Sequence, residues 1–190
     1  MTAETDAALH HELVRRLQAL HALKTGALAM FDPMLAAVAS ARDDERFAEV
    51  SDLLGRMHGV FGRHREATAN HAGRLAARLD ALGSRPSRPR TAAMGAGAAL
   101  RARAGMIGGM NFGAGARDAF VFEHLEIAEA HLLEQLAVRL GDAETATIAK
   151  EIRASDEEQA ATIGRNWTNV LSLALAGSGL PVRRPAEAPA

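Results

Sequence analysis

The chain has 190 residues, a formal net charge of −1 and no cysteine. That length suits one domain with a well-buried core. The near-zero charge argues against a partner held by bulk electrostatics, and the missing thiols exclude disulfides and thiolate metal sites. With abundant alanine, 4% aromatics and no tyrosine, the composition favours helices. Met1–Glu12 lacks an apolar signal core and no uninterrupted apolar run reaches the roughly 18 residues of a membrane span. The expectation is therefore a cytoplasmic protein that does not enter the membrane.

Apolar periodicity predicts four long helices and one short one. The first covers Asp6–Ser40, capped at Thr5 or Asp6, with a kink expected ahead of Pro33. Its apolar stripe runs Leu9, Leu13, Leu17, Leu20, Ala27, Leu28, Phe31, Met34, Leu35 and Val38, and Lys24 falls in the middle of it. The second covers Asp43–Leu82 and stops at Gly83. Its stripe is Val50, Leu54, Met57, Phe61, His64, Thr68, His71, Leu75, Leu79 and Leu82, spaced at a helical period.

Ser84–Arg90 reads as a loop, Thr91–Met106 as a short glycine-weakened helix and Gly108–Gly115 as a second loop. The third long helix spans Arg117–Leu140 and stops at Gly141. The fourth runs from about Asp142 to Ala176, with Ile148, Ile152, Ile163, Trp167, Val170 and Ala174 on its stripe. Gly177–Ala190 is expected to be a mobile tail following a single domain, 1–176. Short joints pair helices one with two and three with four, and a long middle connection joins the pairs. That is an all-α, ferritin-like four-helix bundle with one long crossover and a short extra helix.

Each long helix aims an ionisable group at the shared seam. Beside Lys24, these are His64 and His71, two turns apart, on helix two. Glu126 on helix three is flanked by Glu123 and Glu129, and Asp156 on helix four has Gln159 near it. Glu66, Glu157 and Glu158 point away, while His58, His124 and His131 have no evident partner. A buried carboxylate must be paired, protonated or metal-bound. Carboxylates and imidazoles on facing helices suit iron, manganese or zinc. The Glu-x-x-His pairs of a standard di-metal bundle are absent from the long helices.

Phe122-Glu123-His124-Leu125-Glu126-Ile127-Ala128, followed by Leu133, Leu136, Ala137, Leu140, Gly141 and Asp142, resembles the ferritin-like bacterial stress proteins of the YciF type. So do His64-Arg65-Glu66-Ala67-Thr68-Ala69-Asn70-His71 and Leu20-His21-Ala22-Leu23. The resemblance covers most of Leu13–Trp167. It implies ligand candidates at Lys24, Ala67, Glu123, Glu126 and Asp156, with His71 retained. Glu123 and Glu126 keep their carboxylates and Asp156 keeps one on a shorter stem. Lys24 stands where the family usually has Glu, and Ala67 where it often has Glu or Gln.

Two classes of function follow. In the first, Lys24 replaces a ligand and pairs with Glu126 and Asp156 in a metal-free cluster, and the protein is a structural or binding bundle of the stress-response type. In the second, Glu123, Glu126, Asp156, His71 and His64 bind iron or manganese, and the protein is a metal-dependent oxidase, peroxidase or iron-handling protein. Self-association as a homodimer is expected, with Met106, Ile107, Met110 and Phe112 as a candidate apolar contact. Arg85, Arg88, Arg90, Arg101 and Arg103 lack the aromatic interleaving of a nucleic-acid surface and read as solvated. Gly179-Leu180-Pro181-Val182-Arg183-Arg184 loosely resembles the terminal cargo peptides of ferritin-like proteins packed in protein shells, which makes the tail a candidate partner-recognition segment.

Overall fold

The computed structural model describes residues 3–104 and 111–182. Six helices follow in order: α1 (Ala3–Ala41), α2 (Ser51–Ala81), α3 (Arg88–Ala104), α4 (Phe112–Leu140), α5 (Ala143–Gly164) and α6 (Trp167–Gly177). A 3₁₀ turn, Glu45–Val50, precedes α2, and no strand occurs among the described residues. The protein is all-helical.

Several boundaries differ from the sequence expectation, each for a local reason. The α1 helix continues through Pro33 as one 39-residue element. Ahead of α2 the chain tightens into the 3₁₀ turn because the Asp44 carboxylate caps it, accepting from the Arg46 backbone N–H at 3.0 Å. The α4 helix begins earlier than expected and absorbs Gly113 and Gly115, since Asn111 Oδ1 accepts from the Ala114 N–H at 2.9 Å. The expected fourth helix is two helices. At the break, the Asn166 side-chain amide donates to the Thr162 carbonyl at 2.8 Å, a local bond that competes with helix continuation.

The core explains how the helices run. Leu13, Leu17 and Leu20 of α1, Leu75 and Leu79 of α2, Ala130, Leu133 and Ala137 of α4, and Ile148, Ala149 and Ile152 of α5 form one apolar cluster. A second cluster joins Ala27 and Phe31 of α1 to Phe61 of α2, with Phe122 of α4 packed against it. Rising residue number therefore runs from the first cluster to the second along α1, and the reverse way along α2 and α4. Two helices of one bundle pointing the same way need a long connection, and residues 82–111 supply it.

That connection carries α3, which packs against α1. Gly26 marks the close approach: a Cβ there would sit 3.4 Å from Phe122 Cζ and 3.5 Å from Met94 Cβ. Gly26→Ala is expected to fit and gain helix propensity, by about 0.5–1 kcal/mol. Gly26→Leu is expected to cost about 1–3 kcal/mol by overpacking. Urea unfolding of both variants checks the pair.

Ends are fastened by charge. Arg78 of α2 donates to Thr145 Oγ1 at 2.8 Å, Asp142 at 2.8 Å and Glu144 at 2.7 Å, while Asp142 caps α5 by accepting from the Thr145 N–H at 3.0 Å. A third apolar cluster, with Val38, Phe47, Leu54, Phe112 and Leu173, closes the other end. Phe112 meets Phe47 edge-on at 5.5 Å, so it fills its own chain's core and is not a free contact for a neighbour. Trp167, expected in the core, is 40% exposed and stands edge-on to Phe120 at 5.6 Å.

By length and composition alone α1 is apolar enough to cross a membrane, with a window of mean hydropathy 1.3. This corrects the expectation that no such stretch exists. Its apolar stripe is the seam of the core. Met106, Ile107, Met110, the side chains of Arg101 and Arg103, and the tail from residue 183 lie outside the described residues. Val182 packs against the third cluster.

Candidate functional site

A layer of polar side chains separates the first two apolar clusters. Each long helix contributes where its stripe would otherwise continue: Lys24 between Leu20 and Ala27, His64, Thr68 and His71 between Phe61 and Leu75, Glu123 and Glu126 between Phe122 and Ala130, and Asp156 and Gln159 beyond Ile152. All eight are buried, and Lys24, Thr68, Glu126 and Asp156 are 0% exposed.

Lys24 is the hub. Its Nζ donates to both oxygens of Asp156, at 2.6 and 2.7 Å. It also lies 3.1 Å from Glu126 Oε2, a close charge contact whose angle falls short of a hydrogen bond, since both Glu126 oxygens lack a partner. A second contact joins His64 Nε2 to Glu123 Oε1 at 2.9 Å. The edge of the Phe31–His64 ring pair, with centroids 5.2 Å apart, holds the imidazole in place.

Three carboxyl groups share one ammonium, and burial decides the rest. Burial pulls the Lys24 ammonium down, but the charges of Glu126 and Asp156 outweigh it and hold Lys24 above its ordinary value. Burial, reinforced by the Asp156 charge, pushes Glu123 up to about 8. Burial likewise pushes Glu126 up to about 8 against the pull of Lys24. Asp156 is also raised by burial, less effectively opposed by Lys24 than its two short bonds suggest. Burial and the Lys24 charge depress His64 and His71 to about 4.

The geometry selects Asp156 as the ionised partner, because it alone accepts two hydrogen bonds from the ammonium. At neutral pH the layer is then one ion pair, two protonated glutamic acids and two neutral imidazoles. Glu123 Oε1 and His64 Nε2 share one hydrogen bond, whose direction is set by the imidazole tautomer. A layer with no net charge is the low-cost state of such a group in an apolar interior.

His64, Glu123 and Asp156 each offer a ligand atom within 4.8 Å of the other two, so this group could hold a metal ion. His71, two turns along α2, is not part of that trio, and its Nδ1 is buried without a partner. A two-ion centre does not fit these residues. Lys24 sits on both oxygens of Asp156, so a cation ligated there would meet like-charge repulsion from a buried ammonium. Ala67 offers no donor atom at all.

The other acidic candidates sit elsewhere. Glu129 pairs with Arg16 at 3.2 Å on the bundle's flank, and Glu66, Glu157 and Glu158 are exposed. Sequence reasoning placed Thr68 and Gln159 on the right faces but assigned them nothing. Both carry a buried polar atom without a partner, Thr68 Oγ1 and Gln159 Nε2. It also did not identify Glu123 as the partner of His64, since a helical period places a residue on a face but does not say which neighbour it meets.

No curated protein matches the chain. Residues 8–175 match the family described as "Domain of unknown function (DUF892)", a span that takes in almost all of α1 and α6 and every residue of the polar layer. The chain belongs to the DUF892 family.

Proposed function

We propose that this protein is a ferritin-like four-helix bundle of the bacterial YciF stress-protein type whose centre works without metal, and that it serves as a binding or structural protein and not as an oxidoreductase. The observation that carries this reading is the fully buried Lys24 ammonium seated on both oxygens of Asp156 and 3.1 Å from Glu126. A fixed positive charge stands where the resemblance to that type puts a ligand glutamate. It neutralises a core carboxylate as a cation would, but it has no open coordination position. Membership of DUF892 and the opposed helix directions with a long α2–α4 connection support the bundle type. The bundle is proposed to pair with a second copy. Val121, Leu125 and Leu132, exposed on one face of α4, offer apolar surface for that contact.

The second reading, a single iron or manganese ion on His64, Glu123 and Asp156, is favoured by the convergence of those three ligand atoms. The two readings separate in one measurement. Protein grown with iron and manganese and purified without chelator is expected to carry neither metal by plasma mass spectrometry, and to show no shift in melting temperature when either is added. A stoichiometric ion that disappears in His64→Ala would overturn the metal-free reading and establish the second.

A further inference from the structure

A mostly apolar cavity borders the polar layer at Gln159. It has a volume of about 230 Å³ and lies where α2, α4, α5 and α6 meet. The α5–α6 break opens it: Ile163 ends one wall, Val170 and Leu173 begin the next, and Met57 and Phe61 of α2 face them across the gap. Its walls are mostly apolar. A cavity of this size falls between the roughly 150 Å³ that admits a benzene ring and the roughly 300 Å³ where drug-sized pockets begin. One ring with a small substituent fits.

Several polar groups in the wall already have partners. The Asn166 amide donates to the Thr162 carbonyl at 2.8 Å, and Asn169 Nδ2 donates to Asn166 Oδ1 at 2.8 Å. Thr162 Oγ1 accepts from Arg165 at 3.2 Å. Arg56, the charged group of the lining, pairs with Asp52 at 3.1 Å on the outer surface. Gln159 is 7% exposed, and its Nε2 is buried without a partner. An unpaired amide N–H inside a protein is a standing cost. It is removed by a guest that supplies an acceptor oxygen.

We propose that this cavity binds a small neutral phenol, its ring among Met57, Phe61, Ile163 and Val170 and its hydroxyl on the Gln159 amide. The ring class follows from the walls, since a thioether and an aromatic edge are favourable neighbours for an aromatic ring. Neutrality follows from the absence of an unpaired charge in the lining. The hydroxyl oxygen follows from the amide, whose unpaired Nε2 needs an acceptor. The proposal is independent of whether the polar layer holds metal, because none of the three converging ligand residues lines the cavity.

The test uses the full chain with p-cresol and, as the matched molecule without a hydroxyl, toluene. Two-dimensional NMR is expected to show saturable shifts on α2, α5 and α6 residues around the cavity, with p-cresol about tenfold tighter than toluene, as one hydrogen bond predicts. Gln159→Leu should abolish that preference while both molecules still bind. Val170→Trp, or Ala116→Met if the first fails to fold, should block both by filling the space. Absence of saturable shifts for both molecules overturns the site. Equal affinities in the parent, or an unchanged preference in Gln159→Leu, overturn the role of the amide and with it the phenol class.

Discussion

Lys24→Met is expected to be the most damaging single substitution in the polar layer. It deletes the ammonium that donates at 2.6 and 2.7 Å to Asp156 and leaves a fully buried carboxyl group with no counter-charge. Breaking a buried pair from one side costs on the order of 3–5 kcal/mol, because the survivor keeps its desolvation penalty and loses its compensation. For a chain of this size that is a fall in melting temperature of roughly 6–20 °C. The double variant Lys24→Met with Asp156→Leu removes both charges and should recover most of the loss. The pair then costs little on balance, although each half is indispensable once the other is present. Thermal and urea unfolding of the parent, the two single variants and the double variant measure the coupling. A Lys24→Met protein that melts like its parent would sink the buried-cluster account.

Stability is expected to decline as pH rises from about 6.5 to 8. Glu123 and Glu126 have folded values raised to about 8 from an ordinary 4.5. A raised folded value contributes stability that is fully present below the unfolded value and lost as pH climbs through the folded one. His64 and His71 act in the opposite sense. Their folded values, lowered to about 4 from 6.5, favour the unfolded chain under acid, so their effect fades as pH rises through 6.5.

Between about pH 4.5 and 6.5 the two pairs offset one another and the profile is shallow. Above 6.5 only the carboxyls still titrate, and the native state must give up protons that it holds more tightly than the unfolded chain does. Two coupled groups over that interval amount to a loss on the order of 2–4 kcal/mol. Glu126→Gln, which keeps the shape of a neutral acid and cannot ionise, should remove about half of the slope. Urea midpoints from pH 6 to 8.5 test it. A flat profile in the parent above pH 6.5 would show that the glutamic acids ionise at ordinary values and that the layer carries net charge.

Much of this arrangement is legible in the residue order, because helical periodicity is a local property. Each of Lys24, His64, His71, Glu126 and Asp156 interrupts a stripe whose other members are apolar, and an interruption can be read one helix at a time. Gly83 and Gly141, with φ of 69° and 70°, mark the ends of α2 and α4 because the left-handed backbone there is a glycine conformation. The break between α5 and α6 is not legible in the same way. Nothing in the spacing of Ile163, Trp167 and Val170 distinguishes a continuous helix from two, and the Asn166 side chain settles the matter by taking the Thr162 carbonyl. The packing of α3 on α1 is equally silent, since Gly26 is a small residue that suits an exposed face as well as a crowded one.

The amino-acid order by itself sets which residues share a face, hence the all-helical class, the seam and the set of ionisable groups that must be buried together. Tertiary structure alone decides how those groups pair and what charge they carry. Lys24 is 132 residues from Asp156 along the chain and meets it only because α1 and α5 face one another across the core at the same level. The protonation of Glu123 and Glu126 follows from burial and from the charge of Asp156, neither of which acts on them until four helices close around them. Distances across a bundle are set by all of its helices at once, whereas a helical period is set by one.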